Sequence, residues 1–305
     1  MKQTLLLCCW FGLQTTVKSH EIDPTQFDYC SLYCKVGTHT ACPCKELGEG
    51  RTEIFDNIAA FRRTVVEEHN RLRNKIAGGG ERVRGFPFAA DMMTINYDLE
   101  LEYIAICHGK EFFGFHDECR RPHNSNDSGQ NLFGVSDKND TPAFYKMAIG
   151  VWYDEIEFVA DPENLVESYH PKKHSKEGKT IEHFTQLVWS TTTRIGCTRL
   201  WFPNNPKNAT FRFSIICNYA GGEGANMISR PVYLSGESCS RCPPGATCND
   251  RYMNLCGEIE PIPTDEPFNK DGEGGGGGGG GDGSGVNRVY INRTLLIIAI
   301  LICLN

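Results

Sequence analysis

The sequence predicts an α+β domain held together by disulfides, with a small cysteine-rich appendage behind it. Three observations carry this expectation. Apolar residues recur at helical spacing in three segments between residues 54 and 156. They then alternate with polar residues at strand spacing between residues 194 and 219. The chain also has 15 cysteines in 305 residues, and an even set of them lies between its two apolar ends.

The first apolar end follows Lys2 and runs Leu5-Leu6-Leu7-Cys8-Cys9-Trp10-Phe11. It is too short to span a bilayer but suits a secretory leader. Val17-Lys18-Ser19 offers small residues at the cleavage positions, so residues 1–19 are expected to be removed. Without Cys8, Cys9 and the C-terminal Cys303, the remaining cysteines are Cys30, Cys34, Cys42, Cys44, Cys107, Cys119, Cys197, Cys217, Cys239, Cys242, Cys248 and Cys256. In an exported chain they read as a disulfide framework. Asn126, Asn139 and Asn208 each open an acceptor triplet for an N-glycan. The net charge of -7 gives no basic footprint, which argues against a nucleic-acid partner.

Residues 20–53 are cysteine-dense and aperiodic, a loop-rich extension of the domain at 54–235. Ile54, Ile58, Phe61, Val65, Leu72 and Ile76 predict a helix over 54–76, ended by Gly78-Gly79-Gly80. A second helix starts at Asp98, a good N-cap, and reaches about Phe112. Thr141 and Pro142 open a third. Its expected apolar stripe is Phe144, Met147, Ala148, Val151, Trp152 and Ile156, with Glu155 as the odd member. A carboxylate on such a stripe is costly unless paired, so Glu155 is expected to have a cationic or imidazole partner.

Residues 160–180 read as a solvated loop. His170 and His174 are four apart, but Pro171 and two lysines between them argue against a helical metal pair. Residues 194–201 and 210–219 read as a hairpin across which Cys197 and Cys217 can face each other. Phe211, Phe213, Ile215, Cys217 and Tyr219 form the apolar face of its second strand. Ile216 interrupts the polar face, so that side is expected to be partly covered.

Residues 236–257 hold four cysteines and almost no apolar residues, so disulfides must shape them. Residues 258–285 are acidic, then glycine-rich, and read as a flexible linker. Small residues Gly281, Asp282, Gly283, Ser284 and Gly285, a polar spacer and a short apolar tail within 286–305 match the signal for a lipid (GPI) anchor. The expected location is therefore outside the cell, secreted or held at the plasma membrane.

The stretch with the most chemical content is Glu182-His183-Phe184-Thr185-Gln186-Leu187-Val188-Trp189, an ordered wall with a titratable imidazole. It looks like the Gly-His-Phe-Thr-Gln-x-Val-Trp signature of the CAP superfamily (the SCP domain), with Glu in place of Gly. Ile215-Ile216-Cys217-Asn218-Tyr219 looks like that family's second signature. His69-Asn70-x-x-Arg73 and Gly129-Gln130-Asn131 match its two shorter motifs. Tyr29-Cys30, Cys34 and His39-Thr40-Ala41-Cys42 resemble the N-terminus of the insect venom allergen 5, or antigen 5, group. The resemblance covers about residues 27–260.

The resemblance implies a three-layer α-β-α sandwich with a cleft. It implies a cleft cluster of His116, Gln130, Glu155 and His183, in which His116 and His183 can hold zinc. It also implies the disulfides Cys30–Cys42, Cys34–Cys119, Cys44–Cys107 and Cys197–Cys217. The last four cysteines resemble the short hinge that follows this domain in related proteins, where three pairings are open. Two departures stand out. Gln130 replaces the Glu of many members, and residues 220–226 are longer than usual, so Asn226 aligns loosely.

Three functions follow as expectations. The first is a non-enzymatic extracellular binding module for a sterol, another lipid or a protein. The sequence has no Gly-x-Ser-x-Gly elbow, no His-Glu-x-x-His and no lone free cysteine. The second is a zinc hydrolase with Glu155 activating water, although Gln130 cannot serve as a base. The third is a venom- or saliva-type effector of channels or receptors.

Overall fold

The computed structural model describes residues 22–125, 128–222 and 225–268. The expected leader, Asn126, the expected linker from residue 269, the expected attachment residues Gly281 to Gly285 and the tail lie outside them.

The described strands form one sheet. β1 is Thr52–Glu53, β2 Asn96–Tyr97, β3 Gly129–Val135, β4 Arg194–Trp201 and β5 Phe213–Ala220. Their order is β1-β4-β5-β3, antiparallel throughout, with β2 added parallel to β4. In the β4–β5 register Cys197 lies opposite Cys217, and the two are disulfide-bonded.

Helices cover both faces. α1 (Ile58–Ala77) and α3 (Pro142–Asp154) lie on one side, and α2 (Leu99–Glu111) on the other. Strand alternation sorts the core accordingly. Cys197, Phe213, Ile215, Cys217 and Tyr219 join the large core with Phe61, Val65 and Trp152. Leu200 and Ile216 join Ala105 and Phe112 beneath α2. A Cβ at Gly196 would meet the backbone of Asp98 and Glu102, so glycine lets α2 lie close on β4. The chain is thus the three-layer sandwich that the motifs implied. Its β5 is buried at every residue, more fully than its sequence suggested, because Ile216 and its neighbours lie under α2.

Several boundaries differ from the sequence reading. The first helix starts at Ile58, after the left-handed Asn57. Ile54 instead extends β1, its N–H donating to the Arg199 carbonyl. Asp98 caps α2 and Thr141 caps α3, each accepting a backbone N–H as expected. The buried face of α3 is Phe144, Tyr145, Ala148, Ile149, Trp152 and Tyr153; Met147 and Val151 are exposed. A stripe that pairs adjacent residues every turn has the same period as the expected one, rotated by part of a turn. The 160–180 loop contains α4 (Pro162–Glu167) and α5 (Pro171–His174), each opened by a proline at its first turn. The stretch around His183 is a short helix, α6 (Glu182–Leu187).

Disulfides join Cys30–Cys42, Cys34–Cys119 and Cys44–Cys107 in the extension. In the appendage the pairs are Cys239–Cys248 and Cys242–Cys256. Residues 258–268 are bound to the domain, although their composition reads as linker. Arg62, a buried residue of α1 paired with Glu102 of α2, donates to the carbonyls of Pro263 and Asp265.

Candidate functional site

Two imidazoles are each held at Nδ1 by an oxygen acceptor. His183 sits near the start of α6. Its ring Nδ1 is 2.6 Å from Glu155 Oε1, and its backbone N–H donates to Glu155 Oε2 at 2.9 Å. The N–H of Phe184 reaches the same Oε2 at 3.1 Å. Glu155 follows α3 directly, so the carboxylate expected to need a partner satisfies the free N–H groups at the start of α6. Trp152 stacks near His183 with ring centroids 6.5 Å apart and donates its indole N–H to the Leu132 carbonyl. Asn131 donates to the His183 carbonyl, tying α6 to β3.

His116 lies in the loop after α2. Its Nδ1 is 2.6 Å from Gln130 Oε1. The buried Gln130 amide nitrogen donates to Asp117 Oδ1 and Asn218 Oδ1, both at 3.0 Å. Gln130 and Asn218 are register partners on β3 and β5, while Asn131 points to the opposite face. The two histidine units therefore come from opposite faces of β3, the last strand in the sheet order.

Loss of water around His116 is the largest cause that pushes its pKa down. The bond to Gln130 opposes this, and the charge of Arg120 pushes it down further. Burial thus favours the neutral imidazole. An imidazole that donates from Nδ1 keeps its Nε2 lone pair for a metal or another proton. Both histidines are set up in that way. Glu155 is engaged at both oxygens by the start of α6.

Other candidates resolve differently. His170 Nε2 bonds Ser229, and His174 is buried, so this pair forms no metal face. Among the described residues, the closely spaced group of three ligand-type side chains is Cys239, Cys242 and Cys256. All three are in disulfides and carry no thiolate. Cys239 and Cys242 are not bonded to each other; each pairs with a cysteine farther along the appendage. Asn226, loosely aligned by sequence, bonds Thr185 and the Glu182 carbonyl and so braces α6. Asn139 is exposed and Asn208 half-buried.

Sequence reasoning missed Asp117, Asn218 and Trp152 as parts of the site. Asp117 adjoins His116, and Asn218 lies in the second signature, but neither position showed that it would meet Gln130.

Residues 66–219 match the family described as the cysteine-rich secretory protein (CAP) family. The chain belongs to that family. It is 31% identical over 256 residues to Venom allergen-1 of Aedes albopictus, covering 79% of this chain and 91% of that one. It is 29% identical over 218 residues to Venom allergen 5 of Polistes dominula, covering 68% and 89%. Among solved structures it resembles NaASP2 with Zn2+ at 25% identity and a TM-score of 0.50, covering 70% of this chain and all of that one. The CAP fold, the venom-allergen relationship and the disulfide framework thus stand together. Among the described residues, no helix is long and apolar enough to cross a membrane.

Proposed function

We propose that this CAP protein is a non-enzymatic extracellular binding module whose cleft cluster can take a divalent metal. One observation carries the reading: Glu155 and Gln130 are both occupied in holding a histidine. With Nδ1 of His116 and His183 bound to oxygen, the Nε2 atoms are the groups that would hold zinc. The bonds to Glu155 and Gln130 are those that orient metal-binding histidines. Two protein ligands are fewer than the three usual for catalytic zinc, so the ion would be held weakly. A solved CAP neighbour described with Zn2+ supports the choice of ion.

The partner is a sterol, another lipid or an extracellular protein bound at the cleft. The C-terminal signal would hold the module on the outer face of the plasma membrane through a lipid (GPI) anchor. Native mass spectrometry of protein recovered from a secretory host, stripped of glycans, tests the reading. Expected are six intact disulfides, zinc bound substoichiometrically and lost in His116→Ala and His183→Ala, and a co-purified lipid or protein. Turnover of an ester or peptide library that vanishes in both variants would overturn the non-enzymatic reading.

A further inference from the structure

Gln130 departs from the motif that the sequence resembles, and its surroundings show what the amide does. A glutamine side chain has one accepting and one donating end. Here two acceptors face it from one side, Asp117 Oδ1 and Asn218 Oδ1, each 3.0 Å from its nitrogen. Asn218 is itself oriented, because its nitrogen donates to the Leu101 carbonyl. The reverse amide would set three oxygens against one another in a buried place. The nitrogen must therefore face Asp117 and Asn218, and Oε1 must face His116. An acceptor opposite His116 Nδ1 requires the proton there and leaves Nε2 bare.

Asp117 is fixed in turn. Its second oxygen accepts from the Thr40 hydroxyl, and Arg120 binds the oxygen shared with Gln130. Thr40 lies two residues from Cys42, and Asp117 two residues from Cys119, so disulfides pin the first two members of the chain Thr40–Asp117–Gln130–His116. The cysteine-rich extension thus reaches the cleft through hydrogen bonds.

We propose that Asp117 is a positioning residue for His116, acting through Gln130 and fixed by Thr40 from the extension. Its work is to choose the imidazole tautomer that leaves Nε2 open toward a ligand. Asp117 also makes glutamine the fitting residue at position 130. A glutamate there would turn an acceptor toward two acceptors. The proposal deepens the metal-binding reading, but it predicts a proton position in the metal-free protein and can be tested apart from it.

The experiment is long-range 1H–15N correlation on protein labelled at histidine and free of metal, with zinc titration alongside. In the wild type, His116 is expected to carry its proton on Nδ1. In Asp117→Ala it should become a mixture of tautomers, and zinc affinity should fall about tenfold to a hundredfold. The His183 signals, held by Glu155, should not move and serve as the folding control. A purely structural Asp117 would leave the His116 tautomer unchanged, and that result overturns the proposal. So does a wild-type His116 protonated on Nε2. If no form binds zinc but the tautomer shifts as expected, the metal reading fails and the positioning role stands. If Asp117→Ala fails to fold, Gln130→Glu decides. It should bind zinc more weakly than wild type and recover in Gln130→Glu with Asp117→Asn. Tighter binding by Gln130→Glu alone would count against Asp117.

Discussion

Glu155 holds His183 at two points, the ring Nδ1 at 2.6 Å and the backbone N–H at 2.9 Å, with a different oxygen for each. One carboxylate therefore fixes the orientation of the imidazole and the start of the helix that carries it. Removal of the carboxylate disturbs both, whereas removal of the imidazole leaves the backbone bonds in place.

Glu155→Gln should separate these roles. The amide keeps the size but turns a donor toward one of the donors it must meet. The cost should be about 1–3 kcal/mol of folding stability, the usual penalty for a buried polar group left unpaired. Zinc affinity should fall about tenfold to a hundredfold. His183→Ala should lose zinc with a smaller loss of stability. Urea unfolding and zinc titration on the two variants check this. Equal stability in Glu155→Gln and wild type would show that the amide oxygen still serves both backbone N–H groups and that the His183 ring has switched tautomer to accept from the amide nitrogen.

The sequence showed α1 through its amphipathic face and α2 through the Asp98 cap, although α2 is buried at nearly every residue. It showed that Glu155 needed a partner, because a carboxylate among Trp152 and Ile156 is out of place in any fold. It could not show β3 as a strand. Gly129-Gln130-Asn131 is polar for structural reasons: Gln130 and Asn131 point to opposite faces, and each bonds a different element. Nor could it show Arg73, which is fully buried and donates to the carbonyls of Met93, Leu187, Trp189, Ser190 and Thr192. Those acceptors are backbone groups of distant segments, which no local pattern reports.

Burial should make the fold sensitive to mild acid. His69 is fully buried, donates from Nδ1 to the Val65 carbonyl and accepts from the Tyr219 hydroxyl at Nε2. Burial pushes its pKa down to about 4. The unfolded chain takes up this proton near pH 6.5, so stability is full above that pH and is lost as pH falls toward 4. The loss should approach about 3 kcal/mol, on the order of 1.4 kcal/mol per pH unit across that window. Burial also lowers His39, His108, His116 and His174, so the His69 share is the difference between wild type and His69→Gln. Urea midpoints from pH 7 to pH 4 should fall more steeply in wild type. Parallel slopes would rule out His69 as a source.

The segment 258–268 should behave as part of the domain. Asn96 on β2 donates to the Glu258 carbonyl and accepts from the Glu260 N–H. Arg194 meets Glu260 with two bonds, of 2.5 and 2.7 Å, though both side chains are partly in solvent and add little. The stronger hold is Arg62, which is wholly buried, pairs with Glu102 and donates to Pro263 O at 3.0 Å and Asp265 O at 2.7 Å. Truncation after Gly257 exposes that guanidinium to water and frees both sides of Asn96. It should cost about 1–3 kcal/mol, from a few net hydrogen bonds of about 1 kcal/mol each. Hydrogen exchange should accelerate at Asn96 and Tyr97 and remain slow in β5, which makes no bond to the segment. A truncated protein with unchanged exchange at β2 would mean that the segment rests on the domain without supporting it.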